Sequence, residues 1–167
     1  MRIRPYISEL DFNGIKNWIT DERMHAMWCA NLIQYPLEKN NFENVLQDIS
    51  LRFRDSAYVA TTDEGKVVGF FCYSLNLDTN EGMLKFVMVD NASRGKGLGK
   101  EMLKLAVKYA FEITKAEAVH LNVFPENVRA KQCYLSVGFT ERTTVDKAFQ
   151  FGTEQWGRCN MIIKRES

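Results

Sequence analysis

One hundred and sixty-seven residues, 46% hydrophobic and 12% aromatic, suffice for one packed core and argue against disorder. Twenty-two Lys and Arg against 21 Asp and Glu leave a formal charge of +1, which gives no global reason to expect nucleic acid or an anionic membrane as partner. A central stretch without a formal charge, residues 67–77, has 11 positions, and no uncharged stretch in the chain exceeds 14 where a membrane-spanning helix needs roughly 20; the start, Met1-Arg2-Ile3-Arg4-Pro5, has no apolar run that could act as a secretory signal.

Arg2, Ile3 and Arg4 alternate and Pro5 closes them, which predicts a short edge strand. Ser8, with Asp11 three residues on, reads as the cap of a helix carrying Leu10, Ile15, Trp18 and Ile19 at helical spacing. A second helix is expected over 22–30. A third is expected over 37–53, with Phe42, Val45, Leu46, Ile49 and Phe53 on one side. The period then changes. Residues 57–61 and 67–77 read as a hairpin around Asp63-Glu64-Gly65-Lys66, and 84–89 as a third strand. From Leu98 the helical period returns, with Leu98, Met102, Leu105, Ala106, Tyr109 and Ile113 as its predicted stripe. Residues 118–124 form a strand rich in Val, Leu and Phe. Asn127 opens a last helix that faces Ala130, Cys133, Tyr134 and Val137 inward and stops at Gly138. Residues 139–149 and 156–164 close the chain as an antiparallel pair.

The predicted fold is therefore α/β: a mixed, mostly antiparallel sheet of six to seven strands with helices on both faces. No repeat or linker divides it, so residues 1–167 are one domain. Within it, 1–55 hold the first strand and early helices, 56–139 a central core and 140–167 the closing strands. Cys29, Cys72, Cys133 and Cys159 lie 43, 61 and 26 positions apart. Without a close cysteine pair, and with His25 and His120 as the only histidines, no metal site is expected and reduced cytoplasmic thiols are.

The chemically informative segment runs from Val87, Met88 and Val89 through Arg94-Gly95-Lys96-Gly97-Leu98-Gly99-Lys100. A buried strand enters a turn with three alternating glycines, and an amphipathic helix begins at once. Glycine lets the backbone approach a ligand and take positive φ. The first N–H groups of a helix have no internal partner and favour an anion. Arg94, Lys96 and Lys100 add positive side chains, so the turn reads as a pyrophosphate cradle. It is neither a P-loop nor a dinucleotide fingerprint, because Lys100 stands where the first needs the second glycine and the second its third.

Arg94-Gly95-Lys96-Gly97-Leu98-Gly99 resembles the Arg/Gln-x-x-Gly-x-Gly/Ala signature of the GCN5-related N-acetyltransferases. Asn127-Val128-Arg129-Ala130-Lys131-Gln132-Cys133-Tyr134, followed by Gly138-Phe139, is similar to a second motif of that family. The likeness is strong over 67–139. In the first 55 residues it leans toward the ribosomal-protein and spermidine acetyltransferase branches. It implies acetyl-CoA as co-substrate: Val87, Met88 and Val89 beside the pantetheine arm, Arg94, Gly95, Lys96, Gly97, Leu98, Gly99 and Lys100 around the diphosphate, and Asn127 as a further cofactor contact. Tyr134 is the implied proton donor to the leaving sulfur.

The implied reaction is direct acyl transfer to a primary amine in a ternary complex. Small amines, amino acids, antibiotics and protein N-termini stay open as acceptors, although no run of carboxylates argues for a polyamine. The base is less defined. Asn122 stands where a glutamate is often found in the branch that acetylates protein termini, and an amide takes no proton at neutral pH. Glu81, through a bridging water, and His120 are the candidates. The rival reading is a non-catalytic acyl-CoA sensor; a nucleotide-binding protein is a further one. Edge strands near the C-terminus would allow a homodimer.

Overall fold

The computed structural model describes residues 1–167. The order is β1 (Arg2–Pro5), α1 (Ser8–Lys16), α2 (Glu22–Cys29), α3 (Lys39–Phe53), β2 (Ser56–Thr61), β3 (Val67–Asn76) and β4 (Glu81–Val89), then a short 3₁₀ turn (Asn91–Ser93). There follow α4 (Leu98–Glu112), β5 (Ala118–Val123), α5 (Val128–Val137), β6 (Thr140–Phe151) and β7 (Glu154–Lys164). One sheet of seven strands, in the order β1-β2-β3-β4-β5-β7-β6, carries the fold. Every neighbouring pair is antiparallel except β4 and β5. No helix is long and apolar enough to cross a membrane.

Helices cover both sheet faces, which is why β3 is buried along almost its whole length instead of alternating. The pleat sends neighbours to opposite sides: Phe70 packs with Phe12, Ile15, Phe42 and Met88 beneath α1–α3, whereas Phe71 joins Met102, Leu103, Leu121 and Met161 beneath α4 and α5.

Two local expectations are corrected. Ser8 does not cap α1: Ile7 is the cap residue, and the Ser8 hydroxyl is buried without a partner. Asp11 does the work instead, accepting from the Ile7 N–H at 2.8 Å and from both terminal nitrogens of Arg4 at 2.8 Å. The buried face of α4 is Met102, Leu103, Ala106, Val107 and Ala110, rotated from the predicted stripe. Ile113 lies beyond the last full turn and is exposed, while Tyr109 sits at the margin with its hydroxyl 3.0 Å from that of Tyr58.

Strands β4 and β5 are hydrogen-bonded only over Glu81–Met83 against Ala118–His120. Beyond Met83 they part. β4 is also bulged against β3, its register shifting between Phe70 and Cys72, and Phe86 takes φ +54° there. A left-handed phenylalanine is strained by roughly 1–2 kcal/mol. Trp28 Nε1 holds it by donating to the Phe86 carbonyl at 2.9 Å.

Candidate functional site

The parting of β4 and β5 opens a cavity of about 1130 Å³. That exceeds the usual 300–1,000 Å³ of a single small-molecule site and has room for two reactants. One wall is β4 from Met83 to Val89 with Met24 and Trp28 of α2; the opposite wall is the end of β5 with Asn127 and Tyr134. Its charges are Arg23, Lys85, Arg94, Lys100, Arg129 and Arg158 against the single carboxylate of Asp21. No cluster of His, Cys, Asp and Glu suited to a metal ion gathers anywhere in the chain.

At one end the chain turns from β4 into α4. Asp90 shapes the turn, accepting from the Ala92 N–H at 3.1 Å. Gly95 and Gly97 follow with φ of +79° and +75°, and Gly97 is the cap residue of α4. Six consecutive main-chain N–H groups, residues 95–100, donate to no acceptor within the protein. Three of them belong to the first turn of α4, where the helix dipole adds positive potential. Burial, and then the Arg129 guanidinium, push the Arg94 pKa down from its ordinary value, so two cations face one another there. An anion relieves both. Lys96 is exposed and does not line the cavity, whereas Lys100 does. Gly99 has ordinary helical φ. A Cβ there would make ordinary van der Waals contact with Val89 and Cys133 at 3.4 and 3.5 Å, so neither space nor φ demands glycine at this position.

Asn127 is the N-cap of α5, its side-chain oxygen accepting from the Ala130 N–H at 3.4 Å, while its Nδ2 donates to no protein group. Tyr134 lies two turns along the same helix. Its ring is buried against Phe139, the centroids 6.1 Å apart, and its hydroxyl has no partner in the protein although the residue lines the cavity. Burial drives its pKa well above that of a free phenol, so it keeps its proton.

Glu81 does not reach this wall. It sits where β4 and β5 still pair, with Oε1 accepting from Arg142 at 2.6 Å and Oε2 3.9 Å from His120 Nε2. His120 is also outside the cavity lining. Burial first, and Arg142 second, lower its pKa and favour the neutral ring. Asn122 does line the cavity. Its side-chain oxygen accepts from Asn160 Nδ2 at 2.9 Å, and the same amide lies 3.1 Å from His120 Nδ1. Asn122 is thus the member of this polar group that faces the cavity, with His120 and Glu81 behind it.

Several lining residues carried no sequence signal of their own. Arg129 lies inside the second motif without being singled out there. Cys133, expected to be packing, shares the wall with Tyr134. Trp28 enters through its bond to the bulge. Lys85, 2.8 Å from the buried carboxylate of Asp55, and Arg158 of β7 are brought in by strand pairing alone.

Known proteins agree with this architecture. The model of the acetyltransferase (GNAT) family matches residues 16–139. The spermine/spermidine N(1)-acetyltransferase of Bacillus subtilis is 35% identical over 82 residues, 46% of this chain and 54% of that protein. An uncharacterized N-acetyltransferase of Methanocaldococcus jannaschii is 32% identical over 97 residues, 58% and 60%. The chain thus spans little more than half the length of the curated relatives it matches. Among solved structures, spermidine N-acetyltransferase from Vibrio cholerae in complex with CoA and spermine superposes with a TM-score of 0.81 at 18% identity, covering 98% of this chain and 94% of that one. Ribosomal-protein-alanine N-acetyltransferase from Brucella melitensis gives 0.76 at 21%, covering 99% and 100%. With the family model spanning most of the chain, and the cradle and the parted strands inside that span, this chain belongs to the GNAT acetyltransferase family.

Proposed function

We propose that this chain moves an acetyl group from acetyl-CoA to a primary amine by direct attack in a ternary complex. The observation that carries the reading is the run of six unpartnered amides, residues 95–100, at the start of α4. Such a run binds a diphosphate without large side chains, and Arg94, Lys100 and Arg129 add charge around it. The edge of β4 beyond Met83 has no strand partner on the β5 side; the main-chain groups of Met88 turn to Phe70 of β3, so those of Val87 and Val89 are the ones offered to the amide-bearing pantetheine arm, as a strand edge offers them to a peptide. Asn127 adds its free Nδ2.

Four tasks then fall to the protein. The cavity holds the amine against the thioester carbonyl. The β4 amide of Val89, on the side away from β3, meets the oxyanion that forms there. As the carbon–sulfur bond breaks, the Tyr134 hydroxyl donates a hydrogen bond to the departing thiolate. Its raised pKa suits a donor that stays protonated. The amine's proton leaves by water past Asn122 toward His120 and Glu81, since neither lines the cavity.

Calorimetry with CoA tests the cradle. Gly97→Asn keeps most of the affinity, because asparagine tolerates positive φ and a side chain there meets open space. Gly97→Asp, the same shape with a charge, weakens binding by at least about a hundredfold through repulsion of the diphosphate. Equal affinity for the two variants rejects the placement. Thiol release from acetyl-CoA with mass detection of an acetylated amine separates a transferase from an acyl-CoA sensor.

A further inference from the structure

At the acceptor end of the cavity, where α2 meets β6 and β7, the charges resolve into partners with one exception. Arg23 lies 3.1 Å from Glu154 and over the Trp156 ring at 5.3 Å. Lys85 is 2.8 Å from Asp55. One oxygen of Asp21, the lone carboxylate of the lining, accepts from the Met24 N–H at 2.7 Å. Arg158 lines the same cavity, is exposed, and makes no ion pair or hydrogen bond with any side chain.

Its place on the sheet is defined by alternation. Cys159 and Met161 of β7 are buried beneath α4 and α5, so Arg158 and Asn160 project from the other face. Asn160 pairs with Asn122 across the β5–β7 ladder. Arg158 therefore stands two residues, about 7 Å, from the polar group past which the amine's proton leaves. Beside it Phe124, Phe149 and Trp156 pack together with ring centroids 5.0–5.4 Å apart. Met24, Met27 and Leu32 of the α2 side add an apolar surface opposite.

We infer that Arg158 binds a carboxylate of the acceptor, and that the acceptor is a zwitterionic amino acid with an aromatic or aliphatic side chain, not a polyamine. The inference rests on the acetyl-transfer reading above. A guanidinium with no protein counter-ion recognises a carboxylate through two parallel N–H donors and repels a polycation. One arginine side chain from the reacting amine, the carboxylate belongs to a small molecule that carries both groups close together. The apolar walls then take the side chain.

Steady-state thiol release on the full chain tests this with matched acceptors: L-phenylalanine against L-phenylalaninamide, L-methionine against L-methioninamide, and spermidine. Assayed near neutral pH, the amides, with the less basic amines, carry the larger fraction of unprotonated amine, so a preference for the acids does not arise from the supply of free amine. The acids are expected to exceed the amides in kcat/KM by about tenfold or more. In Arg158→Gln that ratio falls toward one, through an acceptor KM raised about 10–100-fold and with kcat moving far less; Arg158→Lys recovers part of it. Amides equal to acids, spermidine preferred, or a ratio unchanged in Arg158→Gln each overturn the inference while leaving acetyl transfer standing. Absence of thiol release with every amine, from protein that binds CoA by calorimetry, overturns both.

Discussion

Tyr134 shows how one side chain's surroundings separate chemistry from packing. Its ring is core, held against Phe139, but its hydroxyl bonds to nothing in the protein. Removing that hydroxyl leaves no orphaned partner, so Tyr134→Phe is expected to melt within about 2 °C of the parent. Turnover is expected to fall about 10²-fold or more while KM for acetyl-CoA stays within about threefold, because in the proposed reaction the phenol acts only as the sulfur departs. Steady-state kinetics beside a thermal melt checks both halves, and an undiminished kcat removes Tyr134 from the reaction. Asn127 contrasts with it. The motif drew attention to it as a cofactor contact, yet its side-chain oxygen is engaged in capping α5 and only its Nδ2 remains for a ligand.

Among the elements, the short β4–β5 ladder is where the cavity begins. Gly82 lies in it, opposite Val119, and a Cβ at Gly82 would come 2.5 Å from Cε2 and 2.6 Å from the hydroxyl oxygen of Tyr73. Tyr73 is itself buried and bonded to Thr114 at 2.6 Å, so it has little room to yield. Gly82→Ala is expected to destabilise the fold by about 1–3 kcal/mol, a fall of roughly 3–10 °C in Tm for a chain of this size. A melt within 1 °C of the parent would show that Tyr73 moves aside freely. The start of α1 illustrates the limit of local reading. Ser8 and Asp11 have the spacing of a cap, but Arg4 of the preceding strand, paired with Asp11, and the Ile7 amide decide which group is used.

On the scale of the whole molecule, the tip of the β6–β7 hairpin reaches back to α2 through Arg23 and Glu154, 131 positions apart in sequence. Both side chains are about half exposed, so the pair adds little stability. Its consequence is geometric: it ties α2 to the β6–β7 hairpin at the end of the cavity proposed for the acceptor, with the Arg23 guanidinium lying on Trp156. Arg23→Ala is therefore expected to shift Tm by less than about 3 °C while raising the acceptor KM several-fold. Differential scanning fluorimetry and acceptor titration measure the two effects, and an unchanged acceptor KM would deny the hairpin that role.

What the chain determines by itself is local. The cradle lies within residues 94–100, because free helix-start amides and glycines with positive φ are properties of a few consecutive residues. The same holds for the existence of the amphipathic helices and of the β2–β3 hairpin around its Asp63-Glu64-Gly65-Lys66 turn, although not for the buried face of α4 or the two-sided burial of β3, which the packing decides. The cavity is a different matter. It exists because β4 and β5 pair at Glu81–Met83 and then diverge. Its polar and charged wall exists because β7 inserts beside β5, setting Asn160 next to Asn122 and Arg158 on the same face. Glu81, a free carboxylate in the linear chain, meets Arg142 from 61 positions away. Register between distant strands is set by what the two sheet faces bury together, and no short stretch of sequence contains that information.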